Sequence, residues 1–122
     1  MSLDLTLLPV DHDGKLGHAH SMLDCDAGGG IYDAMARLGI SEKRLTDPPD
    51  DFFTFRATGA DGEPRYGRTT ETPYGEPIRC ARIRDLLRLT EEPVITESRK
   101  NRAVWAWLRA MPPDTKVALY WH

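Results

Sequence analysis

Two histidines open the chemical reading. His18 and His20 stand two apart in a stretch with strand character, so both rings project from one face, a face that Asp24 shares. His12 lies across the preceding turn. Imidazoles with a carboxylate form a donor set for zinc or another borderline divalent ion, or a general base near neutral pH. The spacings of known zinc signatures are absent, and histidines on a solvated strand face need no ligand. His12, His18, His20 and Asp24 therefore stand as a candidate metal set beside a purely solvated reading.

A second concentration lies at residues 65–76. Arg65, Tyr66, Arg68, Thr69, Thr70, Tyr74 and Glu76 crowd together among glycines and prolines. Tyrosines offer stackable rings with a polar tip, and arginines a planar donor fork for phosphate or carboxylate. Hydroxyls and backbone amides add short polar contacts. The set suits a nucleotide, an anionic small molecule or a protein hot spot. A loop packed on its own prolines is the competing reading, and both stay open.

The third is helical. Arg102, Trp105 and Arg109 fall at i, i+3 and i+7, where an indole between guanidinium groups could clamp a base or a partner surface. Trp105 tucked under a neighbouring loop is the favoured alternative; an exposed ring would reverse that. Gly28-Gly29-Gly30 stands before a helix without completing a Walker or dinucleotide fingerprint, so a flexible strand-to-helix connector is expected. No nucleophile elbow or cysteine protease context is present, and the acidic clusters at Asp47–Asp51 and Glu91-Glu92 read as solvated.

The elements that must carry these groups follow from periodicity. Leu3, Leu5 and Leu7 alternate with Asp4 and Thr6, the mark of a half-buried strand, and Pro9 signals an edge or an end of pairing. Asp11–Lys15 is turn chemistry leading to a strand over 17–25. Ile31, Ala34, Met35 and Leu38 form a helical stripe that Gly39 stops. Residues 41–51 read as loop, Phe52–Phe55 as strand, 59–62 as turn, and 63–77 as an ordered loop with a short strand at its start. Residues 78–81 suggest a strand running into a short helix bearing Ile83, Leu86 and Leu87. Ser98 caps a helix from Arg99 to about Met111, with Val104, Trp107, Leu108 and Met111 as its core stripe. Pro112-Pro113 stops it, and Lys116–Trp121 is a final apolar strand. The prediction is one α+β domain over residues 1–122: a small, mainly antiparallel sheet of four to five strands with two or three helices on one face.

With 122 residues, 40% hydrophobic and 29% charged, the chain suits one globular core. Sixteen Lys+Arg against nineteen Asp+Glu leave a net charge of −3, which argues against nonspecific nucleic-acid binding and makes any anion site local. No apolar run approaches a membrane span, and no signal-peptide pattern opens the sequence. Cys25 and Cys80 are accordingly expected to be reduced thiols of a cytoplasmic protein.

The opening Met-Ser-Leu-Asp-Leu-Thr-Leu-Leu-Pro, the central Thr-Thr-Glu-Thr-Pro-Tyr-Gly-Glu-Pro, and the segments Asn101–Trp105 and Pro112–Trp121 resemble small uncharacterised proteins of tailed bacteriophages and prophages. The resemblance spans nearly the whole chain. It implies a phage accessory protein in the bacterial host cytoplasm, of a kind often used as a counter-defence factor. The leading expectation is thus a non-enzymatic binding protein that sequesters an anionic or nucleotide-like ligand, or blocks a host protein, with no cofactor. Exposed sheet edges would favour a homo-oligomer. The rival readings are a small metal-dependent hydrolase built on His12, His18, His20 and Asp24, and a structural or morphogenetic phage component.

Overall fold

The computed structural model describes residues 3–10, 22–40, 44–49, 52–58 and 65–122, with backbone alone at 55–58 and 65–68. His12, His18, His20, the turn at 11–15, the first part of the strand expected over 17–25 and the turn at 59–62 lie outside the described residues.

Among the described residues, six strands and four helices follow in chain order. They are β1 (Leu5–Pro9), β2 (Leu23–Cys25), α1 (Gly28–Arg37), β3 (Thr54–Thr58), β4 (Arg65–Thr69), β5 (Arg79–Arg82), α2 (Ile83–Leu86), α3 (Pro93–Thr96), α4 (Arg99–Arg109) and β6 (Lys116–Trp121). A 3-10 turn, Leu87–Leu89, links α2 to α3. Four strands form one antiparallel sheet in the order β2-β1-β6-β5, while β3 and β4 pair as a separate antiparallel hairpin. This is the α+β arrangement that the sequence predicts. On β5, the backbone of Thr46 exchanges hydrogen bonds of 2.9 and 2.8 Å with Cys80, so residues 44–49 strap onto that strand.

Register explains which side chains enter which layer. Leu5 pairs with Trp121, Leu7 with Leu119, and Ala81 with Val117, so these residues share one face. Against it pack Ile31, Ala34 and Met35 of α1, Ile83 and Leu86 of α2, Ile95 of α3, and Val104, Trp105 and Leu108 of α4. On the opposite face Leu8, Val10, Cys80 and Ala118 meet Phe52 and Ile78. All five residues of β1 are therefore buried, where the Leu/polar alternation predicts a strand with one wet face. Pro9 fits at the end of that strand. Val10 N donates to Lys116 O at 3.0 Å, so the position of the missing Pro9 amide points away from β6.

Three expectations are corrected. Gly28, Gly29 and Gly30 are the first turn of α1 and not a connector. A Cβ on Gly28 would stand 2.5 Å from Leu3 O and 2.8 Å from Asp4 Cα, so the helix start can lie against the chain entering β1 only because it has none. The strand expected at Phe52 begins two residues later, at Thr54, with Phe52 buried in the smaller cluster. The core stripe of α4 is Asn101, Val104, Trp105 and Leu108, with Trp107 and Met111 only half-buried. Asn101 accounts for the shift: its Oδ1 accepts from Asp26 N at 2.7 Å, and its Nδ2 donates to Asp26 O and Val94 O, both at 2.9 Å. An amide that satisfies three backbone groups can itself hold a core position, beside Val104, Trp105 and Leu108.

Candidate functional site

A cavity of about 780 Å³ opens between α1 and the segment that leads into β5. Its floor is the helix-side face of the sheet. Arg79 stands opposite Leu119 in the β5–β6 register, and Trp121 lies two residues further along β6 on the same face. One wall is α1, where Tyr32, Met35 and Ala36 recur at helical spacing. The other wall is built from Thr72, Tyr74, Glu76 and Pro77, and Leu45 of the strap closes one end.

The 70–78 wall is ordered by its own backbone. Thr72 N donates to Glu76 O at 2.8 Å, Gly75 N to Thr72 O at 2.9 Å, and Ile78 N to Thr70 O at 2.9 Å. Gly75 adopts a φ of 80°, which a side chain would strain. The Tyr74 hydroxyl donates to His122 O at 2.9 Å, tying this turn to the end of β6. Across the cavity mouth, Tyr32 meets Trp121 edge to face with ring centroids 5.4 Å apart.

Large apolar side chains are seldom left open without a reason when they gather in one place. Among the described residues three are exposed, Met22, Tyr32 and Tyr74, and the last two both line this cavity. Arg79 supplies its cation. Nη2 donates to Leu45 O at 3.0 Å, while Nε lies 3.6 Å from Asp47 Oδ1 and has no hydrogen-bond partner among the described residues. A guanidinium carries five N–H donors, so this one keeps hydrogen-bonding capacity beyond its protein contacts.

The residues singled out from sequence distribute unevenly around this site. Tyr74 and Glu76 line it. Thr69 makes a local turn instead, its hydroxyl donating to Glu71 O at 3.2 Å and accepting from Glu71 N at 3.1 Å. Thr70 is exposed nearby. Arg65, Tyr66 and Arg68 lie on β4, where only the backbone is described. Arg102 and Arg109 are exposed on α4 and are not part of the cavity lining. Trp105 is 1% exposed, and its Nε1 donates to Leu86 O at 2.8 Å, so its ring offers no face to a ligand and the clamp on α4 does not form. Tyr32, Arg79 and Trp121 complete the cavity without having been singled out.

No family model, curated protein or solved structure matches this chain. What can be said of the site therefore comes from its own geometry.

Asp24 belongs to a different corner. It pairs with Thr6 in the β1–β2 register, and the buried Thr6 hydroxyl donates to Asp24 Oδ1 at 2.6 Å. That hydroxyl also meets His122 Nε2 at 2.9 Å. Having given its only proton to the carboxylate, Thr6 must accept, so Nε2 of His122 carries hydrogen. Among the described residues no group of three or more His, Cys, Asp or Glu is placed to hold a metal ion. The two thiols are buried away from chemistry: desolvation pushes Cys25 up to about 12 and Cys80 up to about 11. No helix among the described residues is long and apolar enough to cross a membrane.

Proposed function

We propose that this chain is a non-enzymatic binding protein that holds a small, ring-bearing anionic ligand in the cavity between α1 and the 72–79 segment. The carrying observation is the convergence there of two exposed tyrosines, Tyr32 and Tyr74, with Trp121 and the guanidinium of Arg79. Rings supply stacking area at low entropic cost, and the guanidinium supplies a directional contact for an acidic group. The volume, about 780 Å³, falls within the range of roughly 300–1,000 Å³ that small-molecule sites occupy. A wall held by its own backbone hydrogen bonds lowers the cost of binding.

The phage-type resemblance suggests the setting: an accessory protein that removes a nucleotide-like signal or occupies a host protein. The test is a thermal-shift and calorimetric screen of cyclic and linear nucleotides together with simple aromatic acids. A hit that raises Tm should lose about tenfold or more in affinity in Tyr32→Ala, because a ring on an exposed helix face carries stacking without carrying the core. Silence across the whole screen would remove the small-ligand reading and leave capture of a host protein in its place.

A further inference from the structure

We infer that the ligand of this cavity is an aromatic monocarboxylate and not a polyphosphate. The inference rests on the cavity being a binding site, and it narrows that reading by charge and by shape.

Charge comes first. Among the described residues the charged side chains lining the cavity are Arg79 and Glu76, which sum to zero, and Arg79 also faces the Asp47 carboxylate at 3.6 Å. A nucleoside triphosphate brings several negative charges, and phosphate sites meet these with clustered cations, a helix N-terminus or a metal. Here the lining offers one guanidinium with an acidic neighbour. The N-terminus of α1 offers no substitute, because Gly28 is buried against the backbone of Leu3 and Asp4. A single carboxylate matches a single planar donor fork in both charge and geometry.

Shape agrees. Arg79 and Trp121 lie on one face of adjacent strands, offset by two residues along β6, which puts their Cα atoms roughly 8 Å apart. A ring seated beside Trp121, under Tyr32 and Tyr74, would thus place an acidic group on a short arm within reach of Arg79. Met35, Ile40 and Leu119 add aliphatic lining, while the polar Thr72 and Glu76 stand on the Tyr74 wall. The aliphatic part of this surface favours a ring system over the hydroxyls of a ribose.

The experiment uses wild-type protein and four probes: indole-3-acetate, its neutral amide indole-3-acetamide of the same size, AMP and ATP. Calorimetry should show the acid binding about tenfold or more tighter than the amide, a difference set by the charge-assisted contact. ATP should be the weakest of the four. Arg79→Gln should erase the preference for acid over amide while leaving amide binding in place. Because Arg79 also holds Leu45 O, the wild-type acid–amide pair gives the answer even if that variant does not fold. Equal binding of acid and amide would overturn the carboxylate assignment, and tighter binding of AMP or ATP would overturn it in favour of phosphate. Either result leaves the cavity a binding site. Binding of none of the four would overturn the inference, and the wider screen of nucleotides and aromatic acids then decides the reading beneath it.

Discussion

The two faces of the central sheet are covered in different ways. On one, Leu5, Leu7, Val117 and Leu119 lie under four helices, and Trp105 fills the space between them. On the other, Leu8, Val10, Cys80 and Ala118 pack, among the described residues, with Phe52, Ile78 and part of Tyr120, and further along β1 the layer turns polar at Thr6, Asp24 and His122. Large side chains set the energy of the first face, and directed hydrogen bonds the shape of the second. The difference also places the candidate site. A cavity of this size forms where a helix and an ordered turn stand apart over a sheet face, and the helix-covered side is the one that supplies both walls.

The sharpest way to break this comparison is to truncate one fully buried side chain on each face. Trp105→Ala should cost about 3–5 kcal/mol, since it removes a large core side chain and leaves the Leu86 carbonyl without its donor. That is a large part of the roughly 5–15 kcal/mol typical of a domain. Cys80→Ala, at the centre of the opposite face, should cost only about 1 kcal/mol. Urea unfolding of both variants measures the ratio. Similar losses would mean that the two layers carry equal weight, against the reading given above.

Asn101 tests whether polar contacts matter on the helix side too. Asn101→Leu would strip partners from Asp26 N, Asp26 O and Val94 O together. The expected loss is about 2–3 kcal/mol in urea unfolding, because three part-buried hydrogen bonds are lost together. A loss below about 1 kcal/mol would show that water reaches these groups.

On the polar corner, Thr6→Val should destabilise by about 1–2 kcal/mol, smaller because Asp24 and His122 are exposed and can turn to water. The informative readout is the His122 ring in 15N NMR. The wild-type ring should carry hydrogen on Nε2, and the variant should lose that preference.

The elements were largely legible in the sequence because they rest on local period. Leu5 and Leu7 in β1, the stripe of α1 and the apolar run of β6 declare themselves within ten residues. Ser98 does so as well, its side chain accepting from Asn101 N at 3.1 Å. The site was legible only in part. Tyr74 and Glu76 stand out because rings and charges cluster among turn residues, but Tyr32, Arg79 and Trp121 come from three distant segments and share no spacing. Strand register brings Arg79 and Trp121 together, and register is not written in either residue. Trp105 misleads for the opposite reason. Its spacing with Arg102 and Arg109 suggests a surface, and Asn101, which lies beside it in the buried stripe, is a polar residue that no hydrophobic pattern marks as core.

The cysteines give the finest contrast between the faces, because Cys25 lies in the helix-side cluster and Cys80 in the other. Burial is the main cause of the raised pKa in both. Asp24 and Asp26 then push Cys25 further up against the pull of Lys100, while Lys116 and Arg79 pull Cys80 partly back against Asp47. The sign follows from linkage. A thiol whose folded pKa exceeds its unfolded value of about 9 stabilises the fold fully below that pH, and the contribution drains away as pH rises. For Cys80 the loss should run from about 9 to about 11, and for Cys25 from about 9 to about 12. Unfolding midpoints of wild type, Cys25→Ala and Cys80→Ala between pH 8 and alkaline pH isolate each thiol by difference. At pH 8 the slope of each difference curve should be flat. Above 9 both should fall, with the Cys80 curve levelling first. A Cys25 curve that levels before that of Cys80 would overturn the assignment of the more acidic surroundings to Cys25.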